Sequence, residues 1–409
     1  MSEETKKAPA IRFQGFTDDW EQRKLGELLT EVKRPIKMKD DECYELVTVK
    51  RRNEGIVSRG MFKGKDVLVK SQFQIKTGDY LISKRQVVHG ANGIVPNHLN
   101  NAIVSNEYLV SIGNKNITTD FLTIISRLPS MYRKFFLSSY GIDIEKLVFN
   151  VEDWKKRTIR VPGVTEQNQI SVFYKQIDST IALHQRMSDK QKELKANLLQ
   201  MMFPRNGEKI PEVRLAGFAE DWSQRTLEDI SDKVTEKNKA REFTETLTNS
   251  AEYGIISQSD YFDKDISNIN NIDGYYVVRP DDFVYNPRIS NFAPVGPIKR
   301  NNLNRIGIMS PLYYVFRPKR VDHTFLEKYF ETSYWHIFMK MNGDSGARAD
   351  RFAIKDTILK EMPIPYPIKE EQVKIGIFFN QLDMSIVLHQ EKIAHLKVLK
   401  STLLNKMFI

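Results

Sequence analysis

With 409 residues the chain has room for two domains with buried cores, and a hydrophobic share of 41% sets it apart from disordered chains. Its single cysteine, Cys43, excludes a disulfide framework and a thiolate metal site. A net charge of +10 favours a polyanionic partner, and with no apolar run long enough for a membrane span the expectation is a cytoplasmic protein with no membrane partner.

Residues 1–10 read as a disordered tail. A globular block over 11–165 opens on RFQGFTDDWEQRKL, beginning at Arg12. Short β-branched or aromatic runs follow, YELVTV, GDYLIS and NAIVSNEYLVSI, which predict strands. FLTIISRLPSMYRKFFLSSYG predicts a helical segment broken near Pro129. Residues 166–203 predict one long helix, with Ile170, Phe173, Ile177, Ile181, His184, Leu194 and Leu198 recurring at steps of three and four. Pro204 marks its exit, and 204–213 form a polar linker.

The plan then repeats. Residues 214–369 open on RLAGFAEDWSQRTL, continue with the strand-like EYGIIS, GYYVVRPDDFVYN and IGIMSPLYYVF, and reach a helical FLEKYFETSYWHIFMKMNG. Residues 370–409 carry a second long helix whose stretch 371–408 aligns with 166–203 without a gap, 17 of 38 positions being identical. Glu166/Glu371, Gln167/Gln372, Asp178/Asp383 and His184/His389 are among the identities. Its seam reads Ile375, Phe378, Leu382, Ile386, His389, Leu396, Leu399 and Leu403, while the positions matching Ile393 and Leu396 are the polar Ser188 and Gln191. That polar step predicts looser helix packing or a partner-facing stretch. Trp20, Trp222 and the paired His184 and His389 read as packing residues.

Enzyme motifs are absent. GMFKGKD lacks the spacing of a phosphate-binding loop, Tyr285-Asn-Pro-Arg288 lacks a companion cofactor motif, and the seven His include no HExxH. Polar clusters suited to nucleic acid are present in both blocks. The first offers Lys50, Arg51, Arg52, Asn53, Arg59, Lys84, Arg85, Gln86 and His89. The second offers Gln258, Arg288, Ser290, Asn291, Lys299, Arg300, Asn302, Arg305, Arg348 and Arg351. Arg and Lys suit guanine, Asn and Gln suit adenine, and all can hold phosphate. Each cluster alone is also what an ordinary solvated loop looks like. The clusters fall where the blocks differ most, as Lys50-Arg-Arg-Asn against Asn249-Ser-Ala-Glu252 illustrates.

A unit written twice in one chain predicts approximate two-fold packing, with the two helices antiparallel along their seams. The predicted fold class is α+β: two pseudo-symmetric globular domains of mixed strands and helices, separated by an antiparallel coiled-coil spacer roughly 55 Å long. Two readers so held would contact separate half-sites on one duplex.

The doubled R--GF--DW-QR-L opening and the doubled EQ--I--F----D--I-LHQ helix resemble the specificity subunit of type I restriction-modification systems over nearly the full length. The resemblance implies two target recognition domains, each reading half of a bipartite asymmetric DNA site, in a bacterial or archaeal cytoplasm. It implies docking of two modification subunits, which bind S-adenosylmethionine and methylate adenine. It also implies restriction subunits that use ATP and Mg²⁺. No cofactor and no catalytic residue is implied for this chain. The rival reading is a coiled-coil assembly protein whose blocks bind proteins and whose DNA affinity is non-specific.

Overall fold

The computed structural model describes residues 8–261, 269–344 and 350–409. By compactness the chain divides into Met1–Gln185 with Glu391–Ile409, and Arg186–Gln390. Each unit therefore takes one block together with part of both long helices, Val164–Met201 and Lys369–Lys406.

In the first unit the opening strand Glu21–Lys24 pairs antiparallel with Thr158–Val161, so the two ends of the block lie side by side. A four-stranded sheet runs in the order Leu29–Glu31, Tyr108–Gly113, Tyr80–Ser83, Asn92–Ile94. A five-stranded sheet carries the hairpin Cys43–Val49 and Ile56–Lys63. NAIVSNEYLVSI divides between the sheets, as Ile103–Ser105 and Tyr108–Gly113, because the Asn106-Glu107 step turns the chain. Pro129 is the first residue of the helix Pro129–Leu137, where its missing N–H costs nothing, and Thr119–Ile125 ends before it. Trp20, Phe121, Phe135 and Trp154 fill the core, so Trp20 packs as its pattern predicts.

Among the described residues the second unit repeats this plan with fewer strands. Ser223–Thr226 pairs with Pro363–Tyr366, and a four-stranded sheet runs Ser231–Lys233, Tyr314–Pro318, Phe283–Tyr285, Ile298–Arg300. In place of the five-stranded sheet stand two separate pairs, Leu247–Ser250 with Gly254–Ser257 and Tyr276–Val278 with Gly307–Met309. The helices His323–Glu331 and Trp335–Asn342 pack with Trp222, Phe325 and Phe330 in its core.

The repeated Glu-Gln pair has one job in each unit. Arg12 donates to both oxygens of Glu166 at 2.7 and 2.8 Å, and Arg214 does the same to Glu371 at 2.7 and 2.8 Å. Thr118 N donates to Gln167 Oε1 and Asp322 N to Gln372 Oε1, at the N-caps of Thr119–Ile125 and His323–Glu331. Each long helix is thus fastened at its first turn to the opening of its block and to the block's own helix.

The helix seam differs from the expected one. Burial follows Ile170, Tyr174, Ile177, Ile181, His184, Ser188, Gln191 and Lys195, an unbroken alternation of four and three. Its counterpart is Ile375, Phe379, Leu382, Ile386, His389, Ile393, Leu396 and Lys400. Leu194 and Leu399, expected on the seam, are exposed, and a lysine follows each into the buried row. The polar step is internal: Ser188 is fully buried, and Gln191 Nε2 donates to Ser385 Oγ on the other helix at 2.9 Å. It therefore does not present a partner-facing surface. Phe173, Leu198, Phe378 and Leu403 are half-buried beside the seam, and the two seam histidines are half-buried and engaged.

The lysines enter because carboxylates await them. In the first unit Lys400 bonds Asp178, with Arg127 at 3.6 Å. In the second, Lys195 bonds Asp383 at 2.6 Å, and the buried Lys328 bonds it at 2.6 Å. Burial pushes the Asp383 carboxyl up, but the two ammonium groups outweigh it and hold it below its ordinary range. The two pairs are reciprocal: Asp178 with Lys400, Asp383 with Lys195, each the other's counterpart in the repeat.

The ends of the first unit close in the same way as the linker closes the second. Ile11 N donates to Lys406 O at 3.0 Å, and Val213 N donates to Met201 O at 2.9 Å. Phe408 packs against Trp20 as Phe203 packs against Trp222, with ring centroids 6.0 and 6.1 Å apart. A circular permutant that joins Phe408 to Ile11 through a copy of residues 204–212, and opens within the original 204–212, should fold. The check is cooperative thermal unfolding with native near-ultraviolet circular dichroism; a permutant lacking both would show that the two closures are not equivalent.

Candidate nucleic-acid interface

In the first unit the hairpin of the five-stranded sheet turns over Lys50 to Gly55, with Arg52 and Asn53 both left-handed at φ 59° and 55°. Glu54 N donates to Arg51 O across the turn, the form that matches the twist of a two-stranded ribbon. The turn is docked rather than loose. Arg52 N donates to His89 O at 2.7 Å and Asn53 N to Gly90 O at 2.9 Å. Asn92 Nδ2 donates to Asn53 Oδ1, and Tyr80 Oη donates to Asn92 Oδ1 at 2.9 Å. Lys50-Arg-Arg-Asn and Gln86/His89, distant in sequence, are therefore neighbours.

Their charges are partly spoken for. Glu145 accepts from Arg51 at 2.9 Å and lies 3.4 Å from His89 Nε2. Arg85 donates to Glu107 at 3.0 Å, Lys84 Nζ to Asn106 O at 2.6 Å, and Lys50 stands 3.9 Å from Glu54. Gln86 Oε1 is buried without a donor. Arg52 and Arg59 are exposed and have no carboxylate at ion-pair distance among the described residues. Arg59 lies on the strand Ile56–Lys63.

The second unit gathers part of its cluster around a cleft of about 640 Å³, whose lining includes Asn249, Gln258, Arg288, Ser290, Tyr313 and Arg351. Asn249 is buried, its amide nitrogen donating to Val284 O at 2.7 Å, while among the described residues neither its Oδ1 nor Gln258 Oε1 has a donor. Ile289 N donates to Asp350 O at 3.1 Å and Phe352 N to Pro287 O at 2.8 Å. This places Arg288 directly opposite Arg351 as a non-hydrogen-bonded antiparallel pair, the arrangement in which facing side chains come closest. Neither has a carboxylate partner among the described residues. Ser290 bridges Ala293 across a tight turn whose exposed tip is Asn291 and Phe292.

The remaining basic residues of this block are held elsewhere. Arg300 donates to Asp281 and Glu327, Asn302 to Glu327 at 2.7 Å, and Arg305 to both oxygens of Glu245. Lys299 is half-buried on the strand Ile298–Arg300. Arg348 lies outside the described residues. Residue type marks a guanidinium in sequence, but only the fold shows which carboxylate it meets.

Among the described residues no group of three His, Cys, Asp or Glu could hold a metal ion, and no helix is long and apolar enough to cross a membrane.

Residues 17–195 and 219–398 each match the family described as the type I restriction modification DNA specificity domain. No curated protein matches. Among solved structures the chain is similar to the HsdS subunit from Thermoanaerobacter tengcongensis, at 18% identity and a TM-score of 0.52, covering 95% of this chain and 96% of that one. It is similar to the S subunit of a type I restriction-modification system from M. genitalium at 13% identity and a TM-score of 0.52, covering 98% and 99%. A third similar chain, from a study of complex assembly and conformational transition in the type I R-M system, shares 19% identity over 95% and 97% with a TM-score of 0.52. At these identities the likeness speaks for the fold.

Proposed function

Since the chain belongs to the type I restriction-modification DNA specificity family, we propose that it reads a bipartite, asymmetric DNA sequence, one half-site to each block, for a complex whose chemistry lies in other subunits. The observation that carries this reading is one scaffold bearing two unlike surfaces. The four-stranded sheets share their order and the long helices their fastenings, yet the hairpin turn is Lys-Arg-Arg-Asn in one block and Ser250 to Gly254 in the other. Like scaffolds present unlike side chains when they must read unlike sequences.

The long helices set the gap between half-sites and dock two modification subunits. Support for docking comes from an exposed apolar stripe. Val172, Leu183 and Leu194 on one helix and Ile377, Leu388 and Leu399 on the other are all exposed, at equivalent positions and eleven residues apart. Eleven residues make about three turns, so each trio lies along one side of its helix. An apolar stripe repeated at equivalent positions on two helices suits two copies of one partner. S-adenosylmethionine belongs with those modification subunits, and ATP and Mg²⁺ with the restriction subunits.

The test is reconstitution with modification subunits, followed by mapping of methylated adenines. The chain alone should transfer no methyl group, and the complex should modify one bipartite sequence. Exchanging residues 26–160 for another recognition block should change one half-site and leave the other and the gap as they were. Changes in both halves, or in neither, would defeat the reading. Equal binding of all duplexes at moderate salt would favour the assembly-protein alternative.

A further inference from the structure

We propose that Arg288 and Arg351 act together as a guanine reader for the half-site of the second block, a device that the first block lacks. The inference rests on the reading of the chain as a bipartite DNA reader and names the base class that one block selects.

Two guanidinium groups facing each other across a strand pair repel, and like charges in that position are destabilising. Other arginines in the same unit meet acids: Arg214, Arg279, Arg300, Arg305 and Arg317 each bond a carboxylate. Arg288 and Arg351 are held opposite each other by two backbone hydrogen bonds, both line the cleft, and neither has such relief among the described residues. That is a site built for a ligand that supplies acceptors. The O6 and N7 atoms of guanine in the major groove, or a phosphate, would do so.

Comparison of the blocks decides between the two. The backbone bond from Phe352 N to Pro287 O at 2.8 Å has a counterpart in the first block, from Phe149 N to Lys84 O at 2.9 Å. By that equivalence Arg85 corresponds to Arg288, and Val148 stands where the second block has Arg351. Arg85 is in turn neutralised by Glu107. A phosphate contact carries no sequence information and has no reason to differ between two blocks on one duplex. A base contact must differ when the half-sites differ. The unlike treatment of one scaffold position therefore assigns the arginine pair to base reading.

The test uses the complex with modification subunits, comparing wild type with Arg351→Val, Arg288→Lys and Arg351→Lys. Methylation is read across a pool of duplexes randomised within both half-sites, with thermal unfolding as the check on folding. The two lysine variants keep the charge and lose the planar fork. A guanine reader predicts that each variant relaxes preference at a guanine of the second half-site by about 5- to 150-fold, with the first half-site and the gap unchanged. Uniform weakening over all sequences by Arg351→Val, with lysine variants near wild type, would assign the pair to phosphate and overturn the proposal. So would unchanged preference in all three folded variants. A wild-type complex with no bipartite preference would instead bring down the reading on which this one rests, and would be seen before any variant is made.

Discussion

Replacing Arg214 with alanine is expected to cost about 3–5 kcal/mol, a large fraction of the stability of a single domain. Glu371 is fully buried at the first turn of Lys369–Lys406, and both of its oxygens accept from the Arg214 guanidinium. Truncation leaves a carboxylate out of water with its ion partner gone, which is the costly half of breaking a buried pair. Arg12→Ala should repeat the loss in the first unit, where Glu166 is equally enclosed. Urea unfolding of the single variants and of Arg214→Met with Glu371→Met gives the check. The double variant should recover most of the loss, since two apolar chains leave no stranded charge. Single variants within about 1 kcal/mol of wild type would mean that the fastening is structural ornament.

The second large effect concerns the reach of the helix pair. Lys195 follows Asp178 by 17 residues, and Lys400 follows Asp383 by the same interval. The reciprocal pairs Asp178–Lys400 and Asp383–Lys195 are both made only because the two intervals match. A seven-residue insertion in one helix between its Asp and Lys breaks the match and should sacrifice one pair, with loss of stability. The same insertion in both helices preserves the seam and both pairs. It lengthens the helices by about 10 Å, or about three base pairs of B-DNA. Methylation mapping of the doubly extended chain should therefore find the same two half-sites with a wider gap. An unchanged gap would show that the helices do not set it, and altered bases would show that the blocks were disturbed.

Much of this was legible in the sequence, and for a physical reason. Glu166 with Glu371, Gln167 with Gln372 and Asp178 with Asp383 recur because each copy makes the same bonds to its own surroundings. Repetition in a sequence records repetition of environment. The seam was less legible. Leucine at 194 and 399 fits an apolar stripe, whereas the buried row passes through Lys195 and Lys400 because Asp383 and Asp178 meet them from the opposite helix. A lysine's partner in another part of the chain leaves no local mark. The same limit applies to the basic clusters: Arg300 and Arg305 read like Arg288 in sequence, and only the positions of Asp281, Glu327 and Glu245 separate them. Hydrophobic period reveals which face is buried, but it does not reveal which charge is answered.

The packing of Phe408 on Trp20 bears on how the chain is made. The second unit is continuous, Arg186–Gln390, whereas the core of the first contains Met407 and Phe408 from beyond the second unit. Domains emerging from a ribosome usually fold in the order of synthesis. Here the block translated first waits for Met407 and Phe408, its core open beside Trp20 until they arrive, while the block translated later can close without them. A message cut short between codons 391 and 407 would spare the second unit and leave the first without Phe408.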